Sequence, residues 1–266
     1  MKWRGGRQSS NVEDRSGRSA GSGGKIMAGG GIGTIVIAVL FFLFSGGDLN
    51  SVTDILGGGQ AANYQTENVA SDEYTEEKEF SAVVFGHLED YWNGVFEAEQ
   101  TTYQDPKLVL FTGSVQSACG NATSQVGPFY CPADQNVYLD LSFATELSQK
   151  YGASGDFAMA YVIAHEVGHH VQNELGITQQ LDKIRQQVSE KEYNQYSVRL
   201  ELQADYLAGT FAKYLQGKTY NGQPILEAGD IEEAITAANA IGDDTLQKEY
   251  QGYVVPCLLY TSPSPR

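Results

Sequence analysis

Apolar side chains recur at helical spacing among the charged residues that follow position 71. After a capping signal at 71–73, they return every three or four positions between Phe80 and Phe96. This period places them on one face of a helix. We therefore predict a long amphipathic helix over residues 72–100, with His87 near its apolar face as a structural histidine.

Two short runs of β-branched and aromatic residues predict strands at 107–112 and 136–142. Helical patterns dominate the remainder of the chain. They predict a mostly apolar helix over 157–175, a polar helix over 178–192 and a longer helix over 193–216. Two further helices are predicted over 230–241 and 245–251. A small sheet combined with many helices places the body of the protein in the α+β class.

One apolar segment shows neither the helical period nor the alternation of a strand. Residues 26–47 contain no charged side chain, and about 20 apolar residues are enough for a helix to span a bilayer. We predict that this segment is a transmembrane helix. A cleaved signal peptide is the alternative, but the polar segment before the apolar run is longer than the basic region of such a peptide, which favours a retained anchor.

The distribution of charge orients this anchor. Residues 1–25 hold six basic and two acidic side chains, although the whole chain has a net charge of −16. Because basic flanks stay in the cytoplasm, we expect a cytoplasmic tail at 1–25 and a periplasmic or extracellular body at 71–256. Residues 48–70 are expected to be a flexible linker. The acidic body argues against nucleic acid as a partner, since phosphate binding needs a basic face.

The candidate chemistry lies in the helix predicted over 157–175. A His-Glu-x-x-His pattern starts there at His165. Residues four apart share one helical face, so His165 and His169 can direct ring nitrogens at one metal ion while Glu166 acts as a base. A buried helix whose histidines are satisfied by hydrogen bonds is the alternative. The apolar, proline-free flank favours the metal site.

A catalytic zinc ion takes three protein ligands, so the two histidines need a third. The downstream acidic candidates are Glu174, Asp182, Glu190, Glu192, Glu201 and Asp205. We select Glu201 because Glu201 and Asp205 share a helical face, and the small residues Ala204, Ala208 and Gly209 would let their helix approach closely. Asp205 is expected to accept the second ring N–H of a ligand histidine, with His165 the favoured partner. His170 lies about 100° round the helix from His169 and is expected to support the site or the structure.

Cys119 and Cys131 bracket the loop between the two predicted strands. With the body placed outside the cytoplasm, we expect this pair to form a disulfide that contributes about 2–3 kcal/mol on the chain-entropy model. A pair of zinc thiolates is the alternative. It is disfavoured because the chain offers no second cysteine pair.

With these residues in hand, the chain resembles the family of bacterial membrane-anchored proteins described as putative neutral zinc metallopeptidases. The resemblance extends from Met1 to about Pro256. Besides the apolar span, it rests on motifs at 2–15, 119–132, 137–140, 165–172 and 201–205. It implies a zincin-like, mainly helical catalytic domain of the gluzincin kind, in which Glu201 is the third zinc ligand.

The last residues depart from the family pattern. After Val254-Val255-Pro256, the family continues with a His-Gly-Ser/Thr-Ser-x-x-Arg element and a closing helix, whereas residues 257–266 look like a non-native tail. The missing His and Arg are candidates for stabilising an oxyanion. We therefore expect a C-terminally truncated domain whose turnover could be impaired.

The expected function is hydrolysis of peptide bonds by a membrane-anchored metallopeptidase. One zinc ion would be held by His165, His169 and Glu201, with Glu166 as general base. A strand such as 136–142 would line the cleft and pair with an extended peptide. An impaired or non-enzymatic binding protein on the same scaffold is one alternative, which the intact Glu166 disfavours and the altered C-terminus favours. A structural zinc site is another, but it would prefer four protein ligands.

Overall fold

The computed structural model describes residues 1–17 and 74–241, and these ranges combine helices with short strands. The strands are β1 (Val12–Asp14), β2 (Lys107–Phe111), β3 (Ser114–Ser117), β4 (Gly120–Thr123), β5 (Phe129–Cys131), β6 (Asn136–Asp140), β7 (Thr219–Tyr220) and β8 (Gln223–Pro224). The helices are α1 (Thr75–Ala98), α2 (Phe143–Gln149), α3 (Asp156–Glu174), α4 (Ile177–Arg185), α5 (Glu190–Gln216) and α6 (Asp230–Ile241). The predicted α+β class is confirmed for this part of the chain.

Four of the predicted helices are present with nearly the expected bounds, as α1, α3, α5 and α6. The polar stretch predicted over 178–192 instead divides, because α4 ends at Arg185 and a new helix starts after Ser189. The Ser189 side chain accepts a hydrogen bond from the backbone N–H of Glu192, which satisfies one of the free donors at the start of α5. The helix predicted over 245–251 lies outside the described residues.

The main sheet has the strand order β1-β2-β6-β5. Strands β1, β2 and β6 run parallel, and β5 pairs antiparallel with β6. One face of β2 and β6 places Leu108 and Leu139 in the large core shared with the helices. The other face places Val109 and Tyr138 in a smaller cluster that includes side chains of the β3–β4 hairpin. Because both faces are covered, the run that predicted β2 is continuously apolar instead of alternating.

Several short elements are not evident from the apolar pattern. Strands β1, β3, β4, β5, β7 and β8 contain between two and four residues each. So few positions cannot show a period of two against the background of neighbouring turns. Helix α2 is also short, with seven residues, and it begins directly after the second predicted strand.

The first 17 residues belong to the same compact unit as the body. Met1 and Trp3 are buried in the main core, and Val12 lies opposite Leu108 where β1 pairs with β2. Residues 1–17 are therefore part of the folded domain and do not form the separate basic tail predicted for 1–25. The core and the sheet both depend on them.

Two basic side chains of this N-terminal segment, those of Arg4 and Arg7, have partners in α1. Arg7 donates to Oε2 of Glu89 at 3.0 Å and to Oδ1 of Asp90 at 2.7 Å. Glu89 is buried, and its other carboxylate oxygen accepts hydrogen bonds from the Ser9 hydroxyl and from the Asn11 amide. The local charge excess therefore serves ion pairing within the domain.

The predicted localisation is wrong. A cytoplasmic tail with a body beyond the membrane requires the two parts to lie on opposite sides, yet β1 and β2 pair within one sheet. Among residues 1–17 and 74–241, no helix is both long enough and apolar enough to cross a membrane. The predicted transmembrane helix at 26–47, the linker at 48–70 and the tail at 257–266 lie outside the described residues.

Helix α3 is the central helix of the domain, and it packs most closely against α5 and α6. At its crossing with α5, a Cβ atom on Gly168 would lie only 3.1 Å from the carbonyl oxygen of Ala204 and 3.2 Å from its Cα atom. Ala204 and Ala208 are buried in this contact, as expected for small residues, whereas Gly209 is exposed. The absence of a side chain at Gly168 thus permits the closest approach of the two helices.

The substitution Glu89→Gln tests whether the N-terminal segment is integral to the fold. It replaces one acceptor oxygen with an NH2 group that faces the donors on Arg7, Ser9 and Asn11. We expect the free energy of unfolding to fall by about 1–3 kcal/mol, measured by urea denaturation. The control is Glu97→Gln, the same change at an exposed position of α1. Equal midpoints for the two variants would contradict the integral role.

The substitution Gly168→Val tests the crossing of α3 and α5. The added methyl groups would overlap the backbone of Ala204, and such overpacking costs about 1–3 kcal/mol. We expect a lower melting temperature, measured by circular dichroism. Gly209→Val on α5 is the matched control, because a Cβ atom there would meet nothing within 4 Å. A melting temperature that falls equally in both variants would argue against a tight crossing.

Candidate metal centre

Three side chains from α3 and α5 meet where these helices cross. Nε2 of His165 lies 3.1 Å from Nε2 of His169, which is one helical turn further along α3. Glu201 projects from α5 and places Oε2 at 3.2 Å from Nε2 of His165 and Oε1 at 3.4 Å from Nε2 of His169. The structure therefore brings together the three residues that the sequence singles out as metal ligands.

In both His165 and His169, the other ring nitrogen, Nδ1, faces a hydrogen-bond acceptor. Nδ1 of His165 lies 2.9 Å from Oδ1 of Asp205, and Nδ1 of His169 lies 2.9 Å from Oε1 of Gln172. Carboxylate and amide oxygens only accept hydrogen bonds, so in each neutral ring the proton is on Nδ1. Both Nε2 atoms are then left with lone pairs that point at each other and at Glu201.

This donor set fits a divalent cation. Two facing lone pairs and a carboxylate repel one another unless positive charge lies between them. Oε1 of Glu201 is buried and finds no hydrogen-bond partner among the described residues. A tetrahedral zinc ion with bonds of 2.0–2.2 Å would separate its ligand atoms by about 3.3 Å, close to the distances found here. His165, His169 and Glu201 could therefore hold a metal ion.

The electrostatics of the centre also favour a bound cation. Burial alone would lower the pKa of His165, but the hydrogen bonds that the protonated ring makes to Asp205 and Glu201 raise that pKa well above its ordinary value. Burial is likewise outweighed at His169, where the negative charge of Glu201 raises the pKa of the ring. The pKa of Glu201 is lowered despite burial, mainly by its interaction with His169. The site thus attracts positive charge at the ring nitrogens.

Glu166 follows His165 on α3 and faces a different neighbour. The backbone of Tyr130 on strand β5 interacts with its carboxylate and lowers its pKa. Burial raises the pKa of Glu166 above its ordinary value, and the neighbouring histidine rings only partly oppose this effect. A carboxylate with a raised pKa is a stronger base than an ordinary glutamate, which suits a group that takes up a proton beside a candidate metal site.

His170 lies outside this centre and links α3 to the sheet. It is fully buried, with Nε2 2.7 Å from the carbonyl oxygen of Gln104 and Nδ1 3.1 Å from the Tyr130 hydroxyl. Nε2 therefore carries the proton and Nδ1 accepts from Tyr130, while burial lowers the pKa of the ring. His170 is a structural residue that fixes β5 relative to α3. His87, on α1, is a partly buried residue remote in sequence from the centre.

Cys119 and Cys131 are joined by a disulfide with an S–S distance of 2.07 Å. Cys131 is the last residue of β5, directly after Tyr130, and Cys119 lies in the turn of the β3–β4 hairpin. The bond therefore ties the hairpin to the strand beside Glu166. It also leaves neither sulfur as a thiolate ligand.

Two residues near the centre are absent from the sequence-based candidates. The Tyr161 hydroxyl donates to Asp205, and Gln172 contacts His169. Tyr161 is four residues before His165, and Gln172 is three residues after His169, so both lie on the ligand face of α3. That spacing was the available signal, but many helix residues share it without touching a site.

A second cluster of carboxylates has a different character. Asp156, Asp230 and Glu233 lie close enough together to hold a cation. The α-ammonium group of Met1 forms ion pairs with Asp156 and Asp230, while Glu233 accepts a hydrogen bond from the backbone N–H of Phe157. This cluster therefore neutralises an amine and caps the start of α3.

Comparison with known proteins agrees with this geometry. The sequence matches the family described as putative neutral zinc metallopeptidase over residues 1–263. The uncharacterized protein YpfJ of Escherichia coli K12 is 44% identical over 261 residues, which cover 96% of this chain and 88% of that protein. The uncharacterized protein Rv2575 of Mycobacterium tuberculosis H37Rv is 42% identical over 160 residues, covering 58% of this chain and 53% of that protein. No solved structure matches the chain. The chain belongs to the putative neutral zinc metallopeptidase family.

Proposed function

We propose that this protein is a zinc-dependent peptidase in which His165, His169 and Glu201 hold one zinc ion and Glu166 is the general base. The observation that carries the proposal is the meeting of two ring nitrogens and a partly buried carboxylate within 3.4 Å of one another. Membership of a family named for zinc peptidases supports the same chemistry. The helical fold around the centre is consistent with a zincin-like domain.

A zinc ion held by these residues would supply Lewis acidity, which lowers the pKa of a water molecule towards about 7 and polarises a substrate carbonyl. Glu166 takes a proton from that water as it attacks the carbonyl carbon. The raised pKa of Glu166 favours this uptake, and the protonated carboxyl group would then pass the proton to the leaving amine. Asp205 accepts a hydrogen bond from Nδ1 of His165 and so holds the ring in the tautomer that presents Nε2 to the ion.

The substrate is proposed to lie along β5. The expectation that strand 136–142 accepts the peptide is wrong, because β6 is paired on both sides, with β2 and with β5. Strand β5 is an edge of this sheet, and the backbone of Tyr130 on this strand interacts with Glu166. An extended peptide could pair with that edge by β-addition. The scissile bond of the peptide would then lie beside Glu166, the proposed general base.

The substitution Glu166→Gln tests the role of the base. The amide cannot take a proton from water, but it removes none of the three proposed ligands. We expect unchanged zinc content by plasma mass spectrometry and a loss of about 10²- to 10⁴-fold in kcat on a casein-derived peptide. Glu232→Gln, at an exposed position of α6, is the control. Full activity in Glu166→Gln would remove Glu166 from the mechanism and favour another base.

The substitution Glu201→Ala tests the ligand set. Without this carboxylate, two histidines alone must hold the ion. Loss of a hydrogen-bond partner of a metal ligand lowers metal affinity roughly 10- to 100-fold, and we expect loss of the ligand itself to lower zinc affinity by more. Chelator titration of purified protein measures this affinity. Glu192→Ala is the matched control, since Glu192 is an exposed acidic residue of the same helix. An unchanged dissociation constant for Glu201→Ala would exclude Glu201 as a ligand.

A further inference from the structure

Gln172 is a fully buried polar residue at the contact between α3 and α5. Its Oε1 atom lies 2.9 Å from Nδ1 of His169. Its Nε2 atom donates to the backbone carbonyl of Leu200 at 2.7 Å and to Oε1 of Gln203 at 3.1 Å. Leu200 directly precedes Glu201, so one amide group contacts a proposed ligand on α3 and the backbone beside another on α5.

The Leu200 carbonyl determines which way the Gln172 amide points. A backbone carbonyl only accepts hydrogen bonds, so the NH2 group of Gln172 must face Leu200 and its oxygen must face His169. That oxygen is also only an acceptor, which requires the proton of the neutral His169 ring to be on Nδ1. The lone pair is then on Nε2, the atom that faces Glu201.

We infer that Gln172 is a positioning residue that keeps the His169 proton on Nδ1, presents Nε2 to zinc, and joins this orientation to the position of α5. The inference rests on the proposed zinc site. Asp205 reaches His165 from α5, whereas Gln172 lies on α3, three residues after the ring that it orients. The two histidines are thus held by different chemical groups, one charged and one neutral.

A neutral amide suits this position because it must accept on one side and donate on the other. A carboxylate at residue 172 could still accept from His169. It would, however, face the Leu200 carbonyl and the Gln203 oxygen without an N–H to offer, and unpaired buried acceptors are costly. The need for both functions explains a glutamine at a site where acidic partners of metal-binding histidines are common.

The substitution Gln172→Met keeps the side-chain length and removes all three hydrogen bonds. We expect zinc affinity, measured by competition with a chromophoric chelator, to fall by about 10- to 100-fold. Gln180→Met makes the same change at an exposed position of α4 and is expected to bind zinc like the unsubstituted protein. Equal affinity for Gln172→Met and Gln180→Met would overturn the inference.

Ring ¹H–¹⁵N NMR separates orientation from a purely structural role. The Nδ1–H proton of His169 should exchange slowly with water because Gln172 accepts it, and its signal should disappear in Gln172→Met. Nδ1 carries this proton in both the neutral and the charged ring, so the spectrum can be recorded without zinc. Persistence of a slowly exchanging signal in Gln172→Met would show that Gln172 does not orient the ring.

The variant Gln172→Glu restores the acceptor for His169 without the donor for Leu200. We expect the Nδ1–H signal to return and zinc to bind more tightly than to Gln172→Met, even if the melting temperature is lower. Weaker zinc binding by Gln172→Glu than by Gln172→Met would show that packing alone explains the loss. If the unsubstituted protein bound no zinc, the proposed function would fail, while the metal-free NMR comparison would still decide the role of Gln172.

Discussion

The close packing of α3 against α5 is the contact on which the candidate site depends. Gly168 and Ala204 bring the two helix backbones together, and Glu201 is one turn of α5 before Ala204. A larger residue at either position would move the Glu201 carboxylate away from both rings. Gly168 is one of the two variable positions of the His-Glu-x-x-His pattern, so in this chain the pattern also encodes the helix packing that completes the site.

The same packing creates an electrostatic conflict that the protein must resolve. Two ring nitrogens and a partly buried carboxylate meet within hydrogen-bonding distance, and the pKa of each ring is raised because a proton relieves the repulsion. A metal ion bound at this candidate site would therefore compete with protons for the same Nε2 atoms. Metal binding at such a site releases protons and weakens as the pH falls. The partners on Nδ1 keep that competition confined to Nε2.

The meeting of His165, His169 and Glu201 could be predicted from the sequence because it depends on spacing within helices. His165 and His169 are one turn apart, as are Glu201 and Asp205, and small residues on α5 indicated a close crossing. The strand beside Glu166 could not be predicted, because β5 has three residues and its neighbours along the chain are turns. The role inferred for Gln172 could not be predicted either, because it depends on the carbonyl of a residue on another helix.

The N-terminal segment shows why charge composition can mislead. An excess of basic residues before an apolar run has the same composition whether it flanks a membrane or pairs with carboxylates. Here Arg4 pairs with Glu76, and Arg7 pairs with the buried Glu89. What distinguishes the two cases is the apolar content between the charges: Met1 and Trp3 are buried, and Val12 lies opposite Leu108 in the sheet. A tail that only oriented a membrane anchor would have no reason to carry buried apolar residues at these positions.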